Sequence, residues 1–569
     1  MPLSFKHLNL FISLLFLTFS AFSQNSNSES YSKNPEAILK GKELFEQNCG
    51  SCHNFKQKGI GPNLAQITSE MSKDWINKFI RNPQGQIKKG DKRATELFKE
   101  YKVIMPAFPF LTKSNMEALL GYMNSEKKVI KKRKEINNDA IKDPISKNIK
   151  KSGLKLKLNL FTTAPATSEK SPKARINSMV PLKGASISRL FLSDLRGLIY
   201  EMDGETLHTF FDFKDLNRNF IESPGLGTGL GSYAFHPEFY ENGLLYTTHT
   251  EKIGLAKADF YYSDSIKVAL QWIITEWKVK NPASKVFEAV SREILRINMV
   301  SQIHGMQEIA FNPYAEKGQE DFGLLYIGIG DGGASENGFP EICADSTTPW
   351  GSVLRIDPLG RNSKNGKYGI PPTNPFKNQN AIAEVYCRGF RNPNRIYWTP
   401  EGKMLISDIG HKNIEELNFG IKGADFGWPL REGTFVINPI ENMDVVYPIK
   451  TIENQRKYQD PILQYDHDEG NAISAGFVYN ENSIPNLKGK YIFGDIVNGR
   501  VFYAESKDFQ VGKQAEIVEF EMELNGKLVN FKDLVQNPKA DLRFGQGLDG
   551  EIYLYTKTDG KMYKIVGCE

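Results

Sequence analysis

Cys49, Cys52 and His53 stand in the order Cys-x-x-Cys-His within Asn48-Cys-Gly-Ser-Cys-His53. Two thiols at this spacing reach the two vinyl groups of one haem macrocycle, and the adjacent histidine then lies under the iron. That is the signature of covalent c-type haem attachment, and this composition would produce about 0.0006 such matches by chance. A structural zinc site would need a second cysteine pair, and the other cysteines, Cys343, Cys387 and Cys568, are scattered. A redox dithiol would have no need of the histidine. The second iron ligand is expected on a loop further along. Met105 meets that description, because Pro106 breaks any helix in Tyr101-Lys-Val-Ile-Met-Pro-Ala-Phe-Pro109. Met71, Met116 and Met123 fall in helical patterns and read as core. A His53/Met105 pair raises the iron's potential, which suits electron acceptance rather than oxygen binding.

The remainder of the chain carries no second motif of this kind. It has no Gly-x-Ser-x-Gly, and Gly328-Ile-Gly-Asp-Gly-Gly333 lacks the following helix that a dinucleotide loop requires. What it has is polar residues at strand ends: His304, Asp331, Arg391, Asn392, Asp408, Arg500 and Arg543. Only a fold that gathers distant loops onto one face could make a site of them.

The elements that must position these residues divide the chain in two. Lys6 and His7 precede an apolar run from Leu8 to Phe22, and small residues close it, so 1–23 reads as a secretory signal, too short for a spanning helix. The protein is therefore expected to be periplasmic or secreted, with no stable membrane span. Short amphipathic helices follow from Pro35 to Lys128, with Leu39, Leu44 and Phe45, then Trp75, Phe79 and Ile80, then Met116, Leu119, Leu120 and Met123 at helical spacing. Residues 129–158 form a lysine-rich stretch that reads as a flexible basic linker. From Asn159 to Glu569 the pattern becomes strand, turn, strand, in six irregular units: 190–202, 244–297, 324–357, 404–419, 491–503 and 551–565. Six paired-strand repeats predict a six-bladed β-propeller rather than a β-sandwich, since radial closure protects sheet edges. The 48 glycines and 28 prolines agree with many tight turns, and 40% hydrophobic residues exclude a disordered chain. A net charge of +5 is too mild for nucleic-acid binding. The expected fold is multidomain: a small all-α unit at 35–128 and an all-β six-bladed propeller at 159–569.

Residues 35–128 are similar to a class I cytochrome c, on Cys49/Cys52/His53, Gly59-Ile-Gly-Pro-Asn63, Met105 and a closing helix. Pro62 matches the proline whose carbonyl orients the histidine. The second half resembles the glucose/sorbosone dehydrogenase family, on Ala234-Phe-His-Pro237, Gln302-Ile-His304, Leu325-Tyr-Ile-Gly-Ile-Gly-Asp-Gly-Gly333, Gly389-Phe-Arg-Asn-Pro393, Ser407-Asp-Ile-Gly410 and Asp425-Phe-Gly-Trp-Pro429. The resemblance implies a propeller that uses pyrroloquinoline quinone (PQQ) and Ca2+. By it, His304 is the general base on a sugar hydroxyl. Arg391 and Asn392 hold the quinone and polarise its reactive carbonyl, and Gly410 and His411 bind Ca2+ through backbone carbonyls. Arg500 and Arg543 are candidates for the cofactor's carboxylates, with a surface ion pair as the other reading of Arg500. His236 reads as a packed structural residue and His467 as surface.

Three departures from the family are visible. Gly227 stands where a glutamine is usual, Gly-Met-Gln-Glu follows His304, and the fifth blade lacks the quinone-contacting lysine. Cys343 with Cys387 is a conceivable disulfide in an exported chain. Two functions remain in view. The first is a quinohaemoprotein dehydrogenase that oxidises a sugar or related alcohol, passes electrons to its own haem and then to an acceptor such as another cytochrome. The second is a non-enzymatic cytochrome tethered to a carbohydrate- or protein-binding propeller. If electrons flow between the halves, the cytochrome is expected to dock over the face bearing His304 and Arg391.

Overall fold

The computed structural model describes residues 31–50, 53–55, 61–101, 104–126, 139–223, 227–344, 346–377, 380–450 and 458–569. The expected signal at 1–23, Cys52, Gly59 and the basic residues 127–138 lie outside these. No helix among the described residues is long and apolar enough to cross a membrane.

The first unit is helical: α1 (Pro35–Asn48), α2 (Ile67–Glu70), α3 (Lys73–Arg81), α4 (Pro83–Lys88), α5 (Lys92–Tyr101) and α6 (Lys113–Ser125). Local chemistry starts them. Asn34 accepts from the Glu36 N–H with Pro35 in the first turn, Ser72 accepts from Trp75, and Thr112 accepts from Asn115. α1 and α6 cross so closely that a Cβ on Gly41 would lie 2.0 Å from the Ala118 carbonyl oxygen. Leu44, Phe45, Ile76, Ile80, Met116 and Leu120 fill the space between the helices.

The second unit is a ring of antiparallel sheets. Four-stranded blades occupy 176–212, 230–299, 308–388, 393–466 and 473–524, and a sixth takes three strands from 542–568. Each of the six sequence repeats falls in its own blade. The fourth blade carries a small three-stranded sheet between 431 and 447.

The sixth blade's outer strand is β1 (Lys150–Thr163), antiparallel to Lys561–Cys568 and parallel to Val518–Leu524. This corrects the linker boundary. In Lys155-Leu-Lys-Leu158 the leucines are buried against Phe520, Met522 and Ile565 while the lysines face outward. The charge run concealed a period-two strand. The chain is tied down earlier still: the Ile141 N–H donates to the Val446 carbonyl at 2.9 Å, and the Ile145 N–H donates to Asp466 at 3.0 Å.

Cys343 and Cys387 do not form the conceivable disulfide. Both thiols are free and buried, Cys343 against the Ser335 hydroxyl at 3.3 Å and Cys387 inside the strand Val385–Arg388. Cys568 is free as well.

Candidate functional site

Two pockets carry the chemistry. The first is an apolar slot in the helical unit, lined by Cys49, His53, Pro62, Trp75, Phe79 and Met105 among others. His53 is aimed from behind: its Nδ1 lies 2.9 Å from the Pro62 carbonyl oxygen. An Nδ1–H donated there leaves Nε2 as the metal-binding nitrogen. Burial lowers the imidazole's pKa, with the Pro62 carbonyl opposing, so the ring is kept neutral. Position 61, just before Pro62, must be glycine, because a Cβ there would sit 2.3 Å from His53 Cε1. Trp75 and Phe79 stack at 4.9 Å along α3. Met105 reaches the slot from the stretch between α5 and α6; Met123 also lines it, from within the buried face of α6. A buried thiol, an oriented neutral histidine and an apolar enclosure fit a c-type haem.

The second pocket is a polar cleft of about 630 Å3 on the propeller, a volume typical of small-molecule sites. It gathers His304, Arg391, Asn392, Gly410, His411 and Arg543, all named from sequence. His304 is nearly buried and holds a left-handed backbone, φ 51°, a strained conformation for a non-glycine residue. Its Nδ1 lies 2.8 Å from Asp331 Oδ1. Asp331 is itself fixed, accepting from the Gly333 N–H at 2.7 Å and the Trp428 indole at 3.1 Å. With Nδ1–H donated to Asp331, Nε2 is the basic nitrogen.

Arg391 is buried at the edge of the cleft. It donates to Glu336 Oε1 through Nε at 3.0 Å and Nη2 at 2.5 Å, and through Nη1 to the Gly410 carbonyl at 2.6 Å. Burial alone would raise the Glu336 carboxyl, but Arg391, His411 and His304 outweigh it and hold it well below the carboxylate range. The ligand atoms of His304, Asp331 and Glu336 lie within 4.8 Å of one another. The Asn392 N–H donates to Asp408 at 2.6 Å, while its buried Oδ1 has no partner among the described residues.

The cleft's other wall is cationic. Arg395, Arg543 and Lys557 crowd together, with Lys557 Nζ 3.0 Å from Asn177 Oδ1. Burial drives the Lys557 pKa down, and neighbouring Arg543, Arg175 and Arg395 push further, against Asp541. Burial likewise lowers Arg543. Cations held this way favour an anionic ligand. Sequence reasoning missed Lys557, Arg395 and Glu336. The nearest signals were their places two to five residues beyond Tyr555, Asn392 and Asp331. Arg500 is not brought to the cleft: it pairs with Glu519 at 2.8 and 2.9 Å and with Glu469 at 2.5 Å, the ion-pair reading. His467, expected on the surface, lines the cleft and bonds Glu415 through Nε2 at 2.9 Å. His236 is structural, its Nδ1 held by Asn242 and the Glu238 N–H. At Gly227, a Cβ would lie 2.9 Å from the Gln302 carbonyl oxygen and 3.3 Å from Gln307 Nε2.

The helical unit faces this cleft. Glu100 and Tyr101, at the end of α5, are among its lining residues, and Lys267 pairs with Glu46 across the two units.

A slot shaped for covalent haem beside a propeller with a histidine–aspartate pair and a cationic cleft defines a cytochrome–propeller fusion. The chain belongs to the glucose/sorbosone dehydrogenase family, whose profile matches residues 191–564; a cytochrome c profile matches 38–127. Human Hedgehog-interacting protein is 25% identical over 399 residues, covering 67% of this chain and 50% of that protein. Quinoprotein glucose dehydrogenase B of Acinetobacter calcoaceticus is 26% identical over 215 residues, covering 35% and 40%. The chain thus spans half or less of these relatives' lengths. A crystal structure of glucose dehydrogenase matches with TM-score 0.50 at 17% identity, covering 72% of this chain and 98% of that one, a likeness of fold.

Proposed function

We propose that this chain is an exported dehydrogenase that oxidises a sugar or related alcohol in the propeller cleft and delivers the electrons to a c-type haem in its own helical unit. The observation that carries the reading is the cleft itself, where His304, paired with Asp331, and a cationic wall share one pocket with Tyr101 of the helical unit.

PQQ, when bound, supplies the two-electron acceptor for the alcohol's carbon-bound hydrogen. Arg395, Arg543 and Lys557 are placed to hold its carboxylates, and the partnerless Asn392 Oδ1 and the Arg391 guanidinium border the same cleft. His304 Nε2 takes the hydroxyl proton, and Asp331 orients the ring and stabilises the imidazolium that results. A Ca2+ at Gly410 fits less well, because its carbonyl already accepts from Arg391 and a cation there would have to displace the guanidinium. The relatives named quinoprotein glucose dehydrogenase and glucose dehydrogenase support the sugar as substrate class.

The second reading, a binding propeller tethered to a cytochrome, draws on the Arg391–Glu336 pair, which neutralises the residue meant to polarise the quinone, and on the likeness to Hedgehog-interacting protein. Titrating purified, haem-loaded protein with PQQ, with and without Ca2+, separates the two. Saturable binding that Lys557→Ala and Arg543→Ala weaken, followed by haem reduction with one of a panel of sugars, supports the enzyme. Absence of binding supports the second reading.

A further inference from the structure

Tyr101 is the residue common to both pockets: its side chain lines the haem slot beside Phe98 and Met105, and it lines the propeller cleft with Arg391 and His411. It closes α5, whose other end is anchored to the helical core. Asp91 accepts from the Ala94 N–H at 2.8 Å and from the Trp75 indole at 3.1 Å, which fixes α5 against α3. On the propeller side, the ammonium of Lys412 stands 4.5 Å from the centre of the Tyr101 ring, within cation–π range. Lys412 is held in turn near Asp444, at 3.4 Å. Burial raises the phenol's pKa, and Glu100 and Asp444 add to the rise, with Arg93 opposing, so the ring stays neutral and the cation meets an undissociated aromatic face.

The geometry points to Tyr101 and Lys412 as the latch that seats the haem unit on the cleft, with the Tyr101 ring as the bridge between the two pockets. The inference rests on the function proposed above only for what crosses the bridge. Oxidation of one CH–OH group to C=O releases two electrons and two protons. With a haem bound in the slot, its ferric iron would accept these electrons one at a time past Tyr101, an external acceptor would take them on, and both protons would go to water. Tyr101 is neither oxidised nor reduced; it supplies contact and proximity, on which tethered transfer depends. Lys267 and Glu46, paired across the same two units, are a built-in reporter of the seated state.

The test uses the full-length, haem-loaded chain without quinone. A zero-length carbodiimide joins Lys267 to Glu46 when the units are seated, and mass spectrometry measures the yield. Tyr101→Ala and Lys412→Ala are each expected to lower that yield about tenfold, the scale of a desolvated cation–π contact, while Tyr101→Phe keeps it. A yield unchanged in both alanine variants overturns the latch. Loss in Tyr101→Phe as well as Tyr101→Ala assigns the contact to the hydroxyl and overturns the cation–π account. In quinone-loaded protein, the ratio of haem reduction to reduction of a diffusible dye should fall about tenfold in Tyr101→Ala. A chain that never binds quinone sinks the proposed function yet leaves the cross-linking result intact, so the two failures are distinguishable.

Discussion

The haem slot and the propeller cleft solve opposite problems. The slot is built by residues 49–123 of a single small unit, its walls are apolar, and its key histidine is held by one backbone carbonyl. On the propeller side the cleft draws residues from 177 to 557, gathered from the loops of several blades, and it is held by buried ion pairs. A covalently attached haem would let the slot stay simple, because two thiols would supply the binding that packing otherwise provides. The cleft keeps several basic groups in a desolvated wall, and burial depresses the pKa values of Lys557 and Arg543; the proposed function uses that wall to hold a dissociable, anionic ligand.

That contrast can be broken in graded steps. The largest effect is expected in the slot. Met105→Ala should abolish the low-spin His/Met spectrum entirely while the haem stays attached, read by visible and near-infrared absorption; an unchanged spectrum moves the sixth ligand elsewhere. In the cleft, His304→Ala should slow sugar oxidation by about 10^2 to 10^4, the range of a lost general base, with the haem spectrum untouched. Near-normal turnover in quinone-loaded His304→Ala would remove histidine from the chemistry. Arg391→Ala strands Glu336 in a buried site and should cost the propeller about 3–5 kcal/mol in urea unfolding, most of it recovered in the Arg391→Ala/Glu336→Gln double variant. Failure of the double variant to recover would show that the pair is not what holds that wall.

The smallest effect is a matter of pH. Burial raises the Glu308 carboxyl to about 7, even with Arg395 Nη1 3.2 Å from it. A carboxyl raised in the folded state weakens folding as pH climbs from its unfolded value toward 7 and beyond. Glu308→Gln should therefore be more stable than the parent at pH 8, by up to about 3 kcal/mol, and equal to it near pH 4. An equal difference at both values would mean that the carboxyl is not the cause.

The same contrast decides what could be read in advance. Cys49, Cys52 and His53 lie within five residues, so their spacing alone points to a haem, while Met105 follows from its Met-Pro loop and Pro62 from the family resemblance. The six blades were legible because strand and turn repeat locally. His304, Arg391 and Asn392 are found through motifs and Arg543 through its strand-end position, but Glu336, Arg395 and Lys557 matter only because loops from different blades meet, and no local pattern states that meeting. Arg500 has the same residue type and strand-end position as Arg543, yet Glu469 and Glu519 claim it. The β1 strand was masked by its own lysines, whose outward alternation is what makes the segment a strand.

If slot and cleft form one electron path within one chain, severing the units must change how fast the haem is reduced. A protease site placed between residues 126 and 139 would sever the units after purification, and stopped-flow absorption would follow sugar-driven haem reduction in quinone-loaded protein. The intact chain should show a rate independent of protein concentration, and the severed halves a rate that falls in proportion to dilution. Equal, dilution-independent rates before and after cutting, with the halves shown to be apart, would contradict it.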